Sequence, residues 1–220
     1  MKTYLSAIII AIGLFGGTAM GLWLSGRGSM LEIFRSKPTL GTNNASPGAP
    51  APYAKGSEAA PVTMEEFADF QCSPCRQMHS QIRKIAADYG DRLRIVFRNF
   101  PLEMHPNALA AAKAAESAGR QGRFWEMHDM LFEKQSEWED RDAPTEKFKE
   151  YAAVLRLDLQ KFNADMASDE ITQRITADQK RGESAGVDGT PTLFVNGVAV
   201  PEESFSPDGI RKLIDAAASR

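Results

Sequence analysis

Cysteine, histidine and surplus positive charge are all scarce in this sequence. Its 220 residues include two cysteines, three scattered histidines and 26 basic against 29 acidic residues, a formal net charge of -3. Two cysteines exclude a disulfide scaffold, which needs several pairs, and a structural zinc site normally needs about four ligands. Nucleic acid is excluded as a main partner, because no basic surplus is available to neutralise phosphates. The 43% hydrophobic and 25% charged residues are typical of a globular protein.

An apolar run without charge extends from Tyr4 to Ser25. A helix needs about 20 apolar residues to cross the hydrocarbon core, whereas the apolar part of a signal peptide has roughly 7–15. Residues 1–26 are therefore predicted to be a retained single-pass membrane anchor, with a cleaved signal sequence as the alternative. The following segment is rich in Pro, Gly, Ala, Ser and Asn, so residues 27–57 are predicted to be a flexible linker.

The remaining chain, 58–220, is predicted to be one α/β domain. Hydrophobic periodicity and turn residues predict a β-α-β unit, a block of helices over about 106–186, a β-hairpin and a final helix. Asn196-Gly197 is the residue pair most typical of a two-residue hairpin turn. The predicted strands are 62–67, 93–100, 192–195 and 198–200, and the predicted helices are 72–89, 108–118, 124–134, 145–155, 159–166, 169–185 and 206–218.

The two cysteines form one C-x-x-C pair, Cys72 and Cys75, where a predicted strand gives way to a helix. Backbone N–H groups at a helix N-terminus are unpaired and stabilise a thiolate, whose pKa falls from ~8.5 to roughly 3.5–7.5. Cys72, nearer the helix end, is predicted to be the attacking nucleophile, and Cys75 the thiol that resolves a mixed disulfide. Pro74 is compatible with the first helical turn, where N–H groups need no intrahelical acceptor.

Two other interpretations of this pair stay open on the residues alone. A structural disulfide would close only a very small loop and would stabilise the fold little. Two thiolates can also hold a soft metal ion, as in a thiol metallochaperone. The redox interpretation, which we favour, requires no metal and no cofactor.

Two segments resemble the signatures of the DsbA-like branch of the thioredoxin superfamily. They are Phe67-Ala68-Asp69-Phe70-Gln71-Cys72-Ser73-Pro74-Cys75 and Gly189-Thr190-Pro191-Thr192-Leu193-Phe194-Val195-Asn196-Gly197. The likeness extends over about residues 58–218. It implies a thioredoxin-like α/β fold with a helical insertion between the β-α-β unit and the C-terminal hairpin and helix. It also implies thiol-disulfide exchange with proteins.

The resemblance implies a substrate-binding surface around the cysteines. Pro191 matches the cis-proline that faces the pair in this branch, and a cis X-Pro bond is uncommon elsewhere. Thr190, the residue before it, would offer backbone hydrogen bonds to an extended substrate strand. Ser73 and Pro74, between the cysteines, are predicted to complete this surface.

The resemblance also implies a buried acid. Glu66, six residues before Cys72, matches a carboxyl whose raised pKa would let it take the proton from Cys75, with Glu65 as the rival candidate.

Four other polar residues are assigned structural roles. Asp69 is interpreted as a loop cap, His105 as part of a helix start, and His128 as a core residue. His79, one turn after the cysteines, is predicted to be solvated.

The residues between the cysteines leave the direction of electron flow open. The best-known oxidants of the branch have Pro-His there, whereas this chain has Ser73-Pro74, and proline before the second cysteine is typical of more reducing thioredoxins. The leading prediction is disulfide donation to unfolded or partly folded proteins with cysteines, on the periplasmic or extracellular side, where disulfides persist. A membrane redox partner would reset the pair. A membrane-tethered reductase or isomerase is the alternative.

Overall fold

The structure, a computed structural model, describes residues 42–50 and 52–219. The predicted membrane anchor at 1–26 lies outside these residues. Among the helices of the described part of the chain, none has the length and apolar character that a membrane crossing requires.

The helices and strands agree with the predicted ones to within one residue at each end, apart from a short first strand. In chain order they are β1 (Ala54–Lys55), β2 (Val62–Ala68), α1 (Ser73–Tyr89), β3 (Leu93–Asn99), α2 (Ala108–Gly119), α3 (Phe124–Glu133), α4 (Thr145–Val154), α5 (Leu159–Met166), α6 (Asp169–Ser184), β4 (Thr192–Val195), β5 (Val198–Ala199) and α7 (Pro207–Ala218).

A five-stranded sheet organises these elements, in the order β1-β3-β2-β4-β5. Strands β2 and β3 are parallel, so they need a crossover connection, which α1 provides. β4 runs antiparallel to β2 and is joined to β5 through Asn196 and Gly197, whose φ values of 46° and 80° suit a tight hairpin turn. This is the mixed α/β, thioredoxin-like fold that the resemblance implied, with helices α2 to α6 between β3 and β4.

Both faces of the sheet are covered by helices. On one face Val62 and Met64 belong to a core shared with α1 and with Ile210 and Ile214 of α7. On the other face the rings of Phe67, Phe100 and Phe194 pack edge to face. Gly182 of α6 lies directly on this second cluster, where a Cβ would come within 2.6 Å of the Phe100 ring. The absence of a side chain there lets α6 approach the sheet.

The described part of the predicted linker, residues 42–50 and 52–57, packs against the domain, and the rest of the predicted linker lies outside the described residues. β1 pairs with β3, the Tyr53 carbonyl accepts a hydrogen bond from Phe97 N at 3.1 Å, and the Tyr53 ring stacks on Phe124 at 3.8 Å. Ala49 N donates to Asp178 Oδ1 at 2.9 Å. The composition of this segment, rich in Pro, Gly, Ala, Ser and Asn, does not reveal this packing. Much of the attachment is made by backbone groups that bond to distant parts of the domain.

Candidate active site

Cys72 lies at the junction between the loop after β2 and helix α1. Its backbone is extended, with φ -73° and ψ 119°, and its carbonyl accepts a helical hydrogen bond from Arg76 N at 3.1 Å. Cys72 is therefore the N-cap residue, and Pro74 occupies the first turn, as predicted. A hydroxyl or carboxylate side chain usually caps a helix at this position. Cys72 has a thiol there instead, and its side chain makes no capping hydrogen bond.

The two cysteines differ in burial. Cys75 is fully buried, whereas Cys72 retains 5% exposure, so Cys72 is the more accessible residue of the pair. Cys72 Sγ donates a hydrogen bond to the Thr190 carbonyl oxygen at 3.4 Å, across a separation of 118 residues. The Thr190–Pro191 peptide bond is cis, as the resemblance implied.

Of the four residues predicted to bind substrate, Ser73 and Pro74 are exposed, and Thr190 and Pro191 are half-buried.

The two thiols also differ in acidity. A hydrogen bond from the Cys75 side chain is the largest cause that lowers the pKa of Cys72 to about 6, and a hydrogen bond from the Cys75 backbone acts the same way. Burial, followed by the neighbouring Cys72, raises the pKa of Cys75 far above its usual range. Near neutral pH, Cys72 is therefore mainly a thiolate and Cys75 a thiol that must lose a proton before it can attack.

A buried network holds the loop before Cys72. Asp69 accepts hydrogen bonds from Gln71 N at 2.7 Å, from Leu102 N at 2.8 Å and from His105 Nδ1 at 2.7 Å. These bonds confirm the interpretation of Asp69 as a loop cap and give His105 its structural role.

Gln135, a residue that sequence reasoning missed, also supports this loop. Its side chain is fully buried, and Nε2 donates to the Phe70 carbonyl at 2.7 Å and to the Cys72 carbonyl at 3.2 Å. No local pattern marks this residue, because its partners lie more than 60 positions earlier in the chain.

Glu66 lies on β2 and is 3% exposed. Burial raises the pKa of its carboxyl to about 8. Its Oε1 atom is buried without a hydrogen-bond partner among the described residues, and no hydrogen bond joins it to either cysteine there. The rival candidate, Glu65, is engaged elsewhere, in ion pairs with Arg98 and Arg181 at 2.7 Å each.

The prediction that His79 is solvated is wrong. His79 is 5% exposed because α1 packs against α3, and its Nε2 lies 3.0 Å from Asp129 Oδ1. His128 is a core residue, as predicted, and its ring meets Phe97 edge to face at 4.7 Å. Its Nδ1 lies 2.9 Å from the same Asp129 oxygen.

Comparison with known proteins gives a family match and close structural neighbours. The family model described as thioredoxin matches residues 49–216. The oxidised form of BdbD from Bacillus subtilis is 25% identical with a TM-score of 0.68, covering 81% of this chain and 100% of that one. Alpha-DsbA1 of Wolbachia pipientis is 22% identical with a TM-score of 0.66, covering 77% of this chain and 92% of that one.

Curated relatives carry a similar region within much longer chains. The Na(+)/H(+) antiporter NhaA 3 of Salinispora tropica is 42% identical over 146 residues, which is 66% of this chain and 22% of the relative. The chain thus spans about a fifth of the length of the curated relatives it matches. Because the family match covers most of the chain, and the solved neighbours share its fold, this protein belongs to the thioredoxin family.

Proposed function

We propose that the protein donates a Cys72–Cys75 disulfide to cysteine-containing proteins outside the cytoplasm. A client thiolate attacks Cys72 Sγ and breaks the Cys72–Cys75 bond, and Cys75 leaves and takes up a proton. A second client thiolate then attacks the client sulfur joined to Cys72, which forms the client disulfide and releases Cys72 as a thiolate. The client loses two electrons, and the cysteine pair gains them.

The observation that carries this proposal is the environment of Cys72. Its sulfur is the more accessible of the pair, lies at a helix N-terminus and is held as a thiolate by hydrogen bonds. A stabilised thiolate favours the reduced form of the pair, and a disulfide whose reduced form is stabilised is a strong oxidant. The same property makes Cys72 the better leaving group when the mixed disulfide is resolved.

Two groups of residues assist this exchange in our proposal. Thr190 and Pro191 receive the client as an extended strand beside Cys72, with Ser73 and Pro74 exposed on the other side of the sulfur. Glu66 supplies the proton that Cys75 needs when it leaves, and accepts it again when the pair is reoxidised. Support for this role is its complete burial and its pKa of about 8, which lets it both give and take a proton near neutral pH.

The location and the resetting partner complete the proposal. Disulfides persist outside the cytoplasm, so the domain acts on the periplasmic or extracellular side, and a membrane redox partner reoxidises the pair. Residues 1–26 tether the domain to the membrane. Fractionation of cells with alkaline carbonate extraction tests the tether, which is disproved if the chain is recovered in the soluble fraction.

The decisive experiment is the equilibrium reduction potential of the pair in the full chain, measured against glutathione. A value of about -120 mV would support disulfide donation, and a value of about -270 mV would identify a reductant instead. In parallel, the Cys75→Ala variant is expected to accumulate a mixed disulfide with a reduced client peptide. The Cys72→Ala variant is expected to form none, and a mixed disulfide on Cys75 would contradict our assignment of the nucleophile.

A further inference from the structure

A small cavity lies between the sheet and helices α1 and α3. Its volume is about 20 Å³, which is room for one water molecule. The polar side chains that line it include those of Glu66, His79, His128 and Asp129. The remaining residues that line it are Lys55, Ile82, Arg83, Ala86, Ile95 and Trp125.

Two of these polar groups have a buried atom with no partner among the described residues. They are Glu66 Oε1 and His128 Nε2, on residues that are 3% and 4% exposed. Buried polar atoms are nearly always hydrogen-bonded, to protein or to ordered water. A water in this cavity can accept a hydrogen bond from the Glu66 carboxyl and donate one to the imidazole, which would satisfy both groups.

The hydrogen bonds of Asp129 assign the tautomer of His128. Although burial works in the opposite direction, hydrogen bonds from His128 and His79 hold the pKa of Asp129 well below its usual range, so Asp129 is an ionised acceptor. His128 Nδ1, 2.9 Å from Asp129 Oδ1, must then carry the proton. Burial lowers the pKa of His128 to about 4, which keeps the ring neutral and leaves Nε2 as a bare acceptor.

We propose that Glu66 exchanges its proton with solvent along a relay formed by one cavity water, His128 and Asp129. In the outward direction Glu66 gives its proton to the water while the water gives one of its own protons to His128 Nε2, and His128 passes its Nδ1 proton to Asp129. The Asp129 side chain is 28% exposed and releases the proton to solvent. In the inward direction every transfer reverses, which restores the original tautomer of His128.

The use of this relay in turnover rests on the proposed function. When Cys75 leaves as a thiolate, Glu66 gives it a proton and must then be reprotonated from solvent. When the pair is reoxidised, Cys75 returns its proton to Glu66, which must first have lost its own. Each catalytic cycle thus moves one proton inward and one outward through a carboxyl that is itself buried.

The charged groups around the cavity favour a proton path over a bound cation. The ligand atoms of His79, His128 and Asp129 lie within 4.8 Å of one another, a spacing that can hold a metal ion. Lys55 on β1 and Arg83 on α1 also line the cavity, however, and their positive charges repel a cation.

The test follows the protonation of Glu66 by infrared spectroscopy after a rapid pH jump across about 8. The carboxylic acid band that disappears in Glu66→Gln identifies the group. In the wild-type full chain we expect the protonation of Glu66 to equilibrate within the mixing time. In His128→Phe, which keeps an aromatic ring among its neighbours, we expect equilibration to slow about tenfold or more.

The matched control is His79→Phe, which removes the other hydrogen bond to Asp129 but leaves Nε2 of His128 in place. We expect it to equilibrate as fast as the wild type. Equal rates in His128→Phe and the wild type, or equal slowing in both variants, would overturn the relay.

A second measurement on the wild type keeps the proposal testable if His128→Phe does not fold. In the reduced protein at neutral pH, the nitrogen chemical shifts of His128 are expected to show the Nδ1–H tautomer, and an Nε2–H tautomer there would overturn the relay. Neither measurement requires disulfide exchange with a client. If the relay tests fail but the reduction potential is oxidising, the proposed function therefore stands. If the reduction potential is reducing but the relay tests succeed, only the disulfide donation is rejected.

Discussion

Glu65 and Glu66 are neighbours in sequence but have opposite environments, because successive side chains of a strand point to opposite faces of the sheet. Glu65 binds Arg98 and Arg181, whose hydrogen bonds hold its pKa below the usual value although burial works the other way. Glu66 has no such partner, and burial raises its pKa from 4.5 to about 8. A single-residue shift of β2 would exchange these two roles.

This difference predicts how stability depends on pH. Between pH 4.5 and about 8, native Glu66 holds a proton that the unfolded chain has lost. Stability contributed through this group therefore falls as the pH rises through that window, with a slope of about 1.4 kcal/mol per pH unit. We expect Glu66→Gln to remove this slope, so that the variant gains stability relative to the wild type as the pH rises. Urea unfolding at several pH values measures this slope in the wild type and in the variant.

The control for this prediction is Glu65→Gln. The lowered pKa of Glu65 contributes stability that is present above its unfolded pKa and is lost as the pH falls through its folded pKa. This variant should therefore lose stability at neutral pH, and its deficit should shrink in acid. If both variants showed the same pH dependence, the assignment of opposite environments would be wrong.

At the scale of elements, the short strand β1 and the chain before it extend the sheet and cover part of the helical block. Tyr53 is the apolar anchor of this segment, since its ring stacks on Phe124 of α3. Gly119, at the end of α2, gives the ring its space, because a Cβ there would lie 2.2 Å from the Tyr53 hydroxyl oxygen. This glycine therefore serves a packing function.

We expect Tyr53→Ala to lower the free energy of unfolding by about 2–3 kcal/mol, through lost aromatic burial and stacking. Tyr53→Phe keeps the ring and should cost about 1 kcal/mol or less, the value of one hydroxyl hydrogen bond. Urea unfolding of the full chain gives both values. Because Tyr53 contacts neither cysteine, the reduction potential should not change. An unaffected stability in Tyr53→Ala would mean that this segment contributes little to the fold.

At the scale of the whole molecule, buried charges connect parts of the chain that are distant in sequence. Asp178 of α6 accepts hydrogen bonds from Arg98 of β3 at 2.8 Å and from Ala49 N at 2.9 Å. Arg98 in turn donates to Glu65 of β2 at 2.7 Å. One network thus joins the sheet, α6 and the N-terminal segment, and every charged member of it is at least partly buried.

We expect Asp178→Asn to lower the free energy of unfolding by about 3 kcal/mol, since removing one partner leaves a buried charge poorly compensated. Asp208→Asn, which alters an exposed ion pair with Arg211, should leave the unfolding free energy unchanged. Urea unfolding compares the two, and hydrogen exchange at Ala49 N should accelerate only in the first variant. Equal effects in both variants would show that the network does not stabilise the fold.

The elements and the cysteine site could be predicted because their signals are local. Helix periodicity, the Asn196-Gly197 turn and a C-x-x-C pair at the start of a helix each depend on a few consecutive residues. The same local geometry places Cys72 at unpaired N–H groups, which is why we predict that its thiol is the nucleophile. The resemblance to DsbA-like proteins added the cis-proline, which no local pattern identifies.

Tertiary structure alone decided which polar groups are buried and what they contact. His79 is buried because α3 packs against α1. Gln135 has its role because it bonds to carbonyl groups more than 60 residues away. β1 forms by pairing with the edge of β3. The cavity beside Glu66 likewise arises where three elements meet. Backbone conformation is set by short-range sterics and hydrogen bonds, whereas solvation and pKa depend on everything that packs around a group. The sequence by itself therefore determined the elements and the position of the cysteine pair, and the fold determined the burial and the pKa of the groups around it.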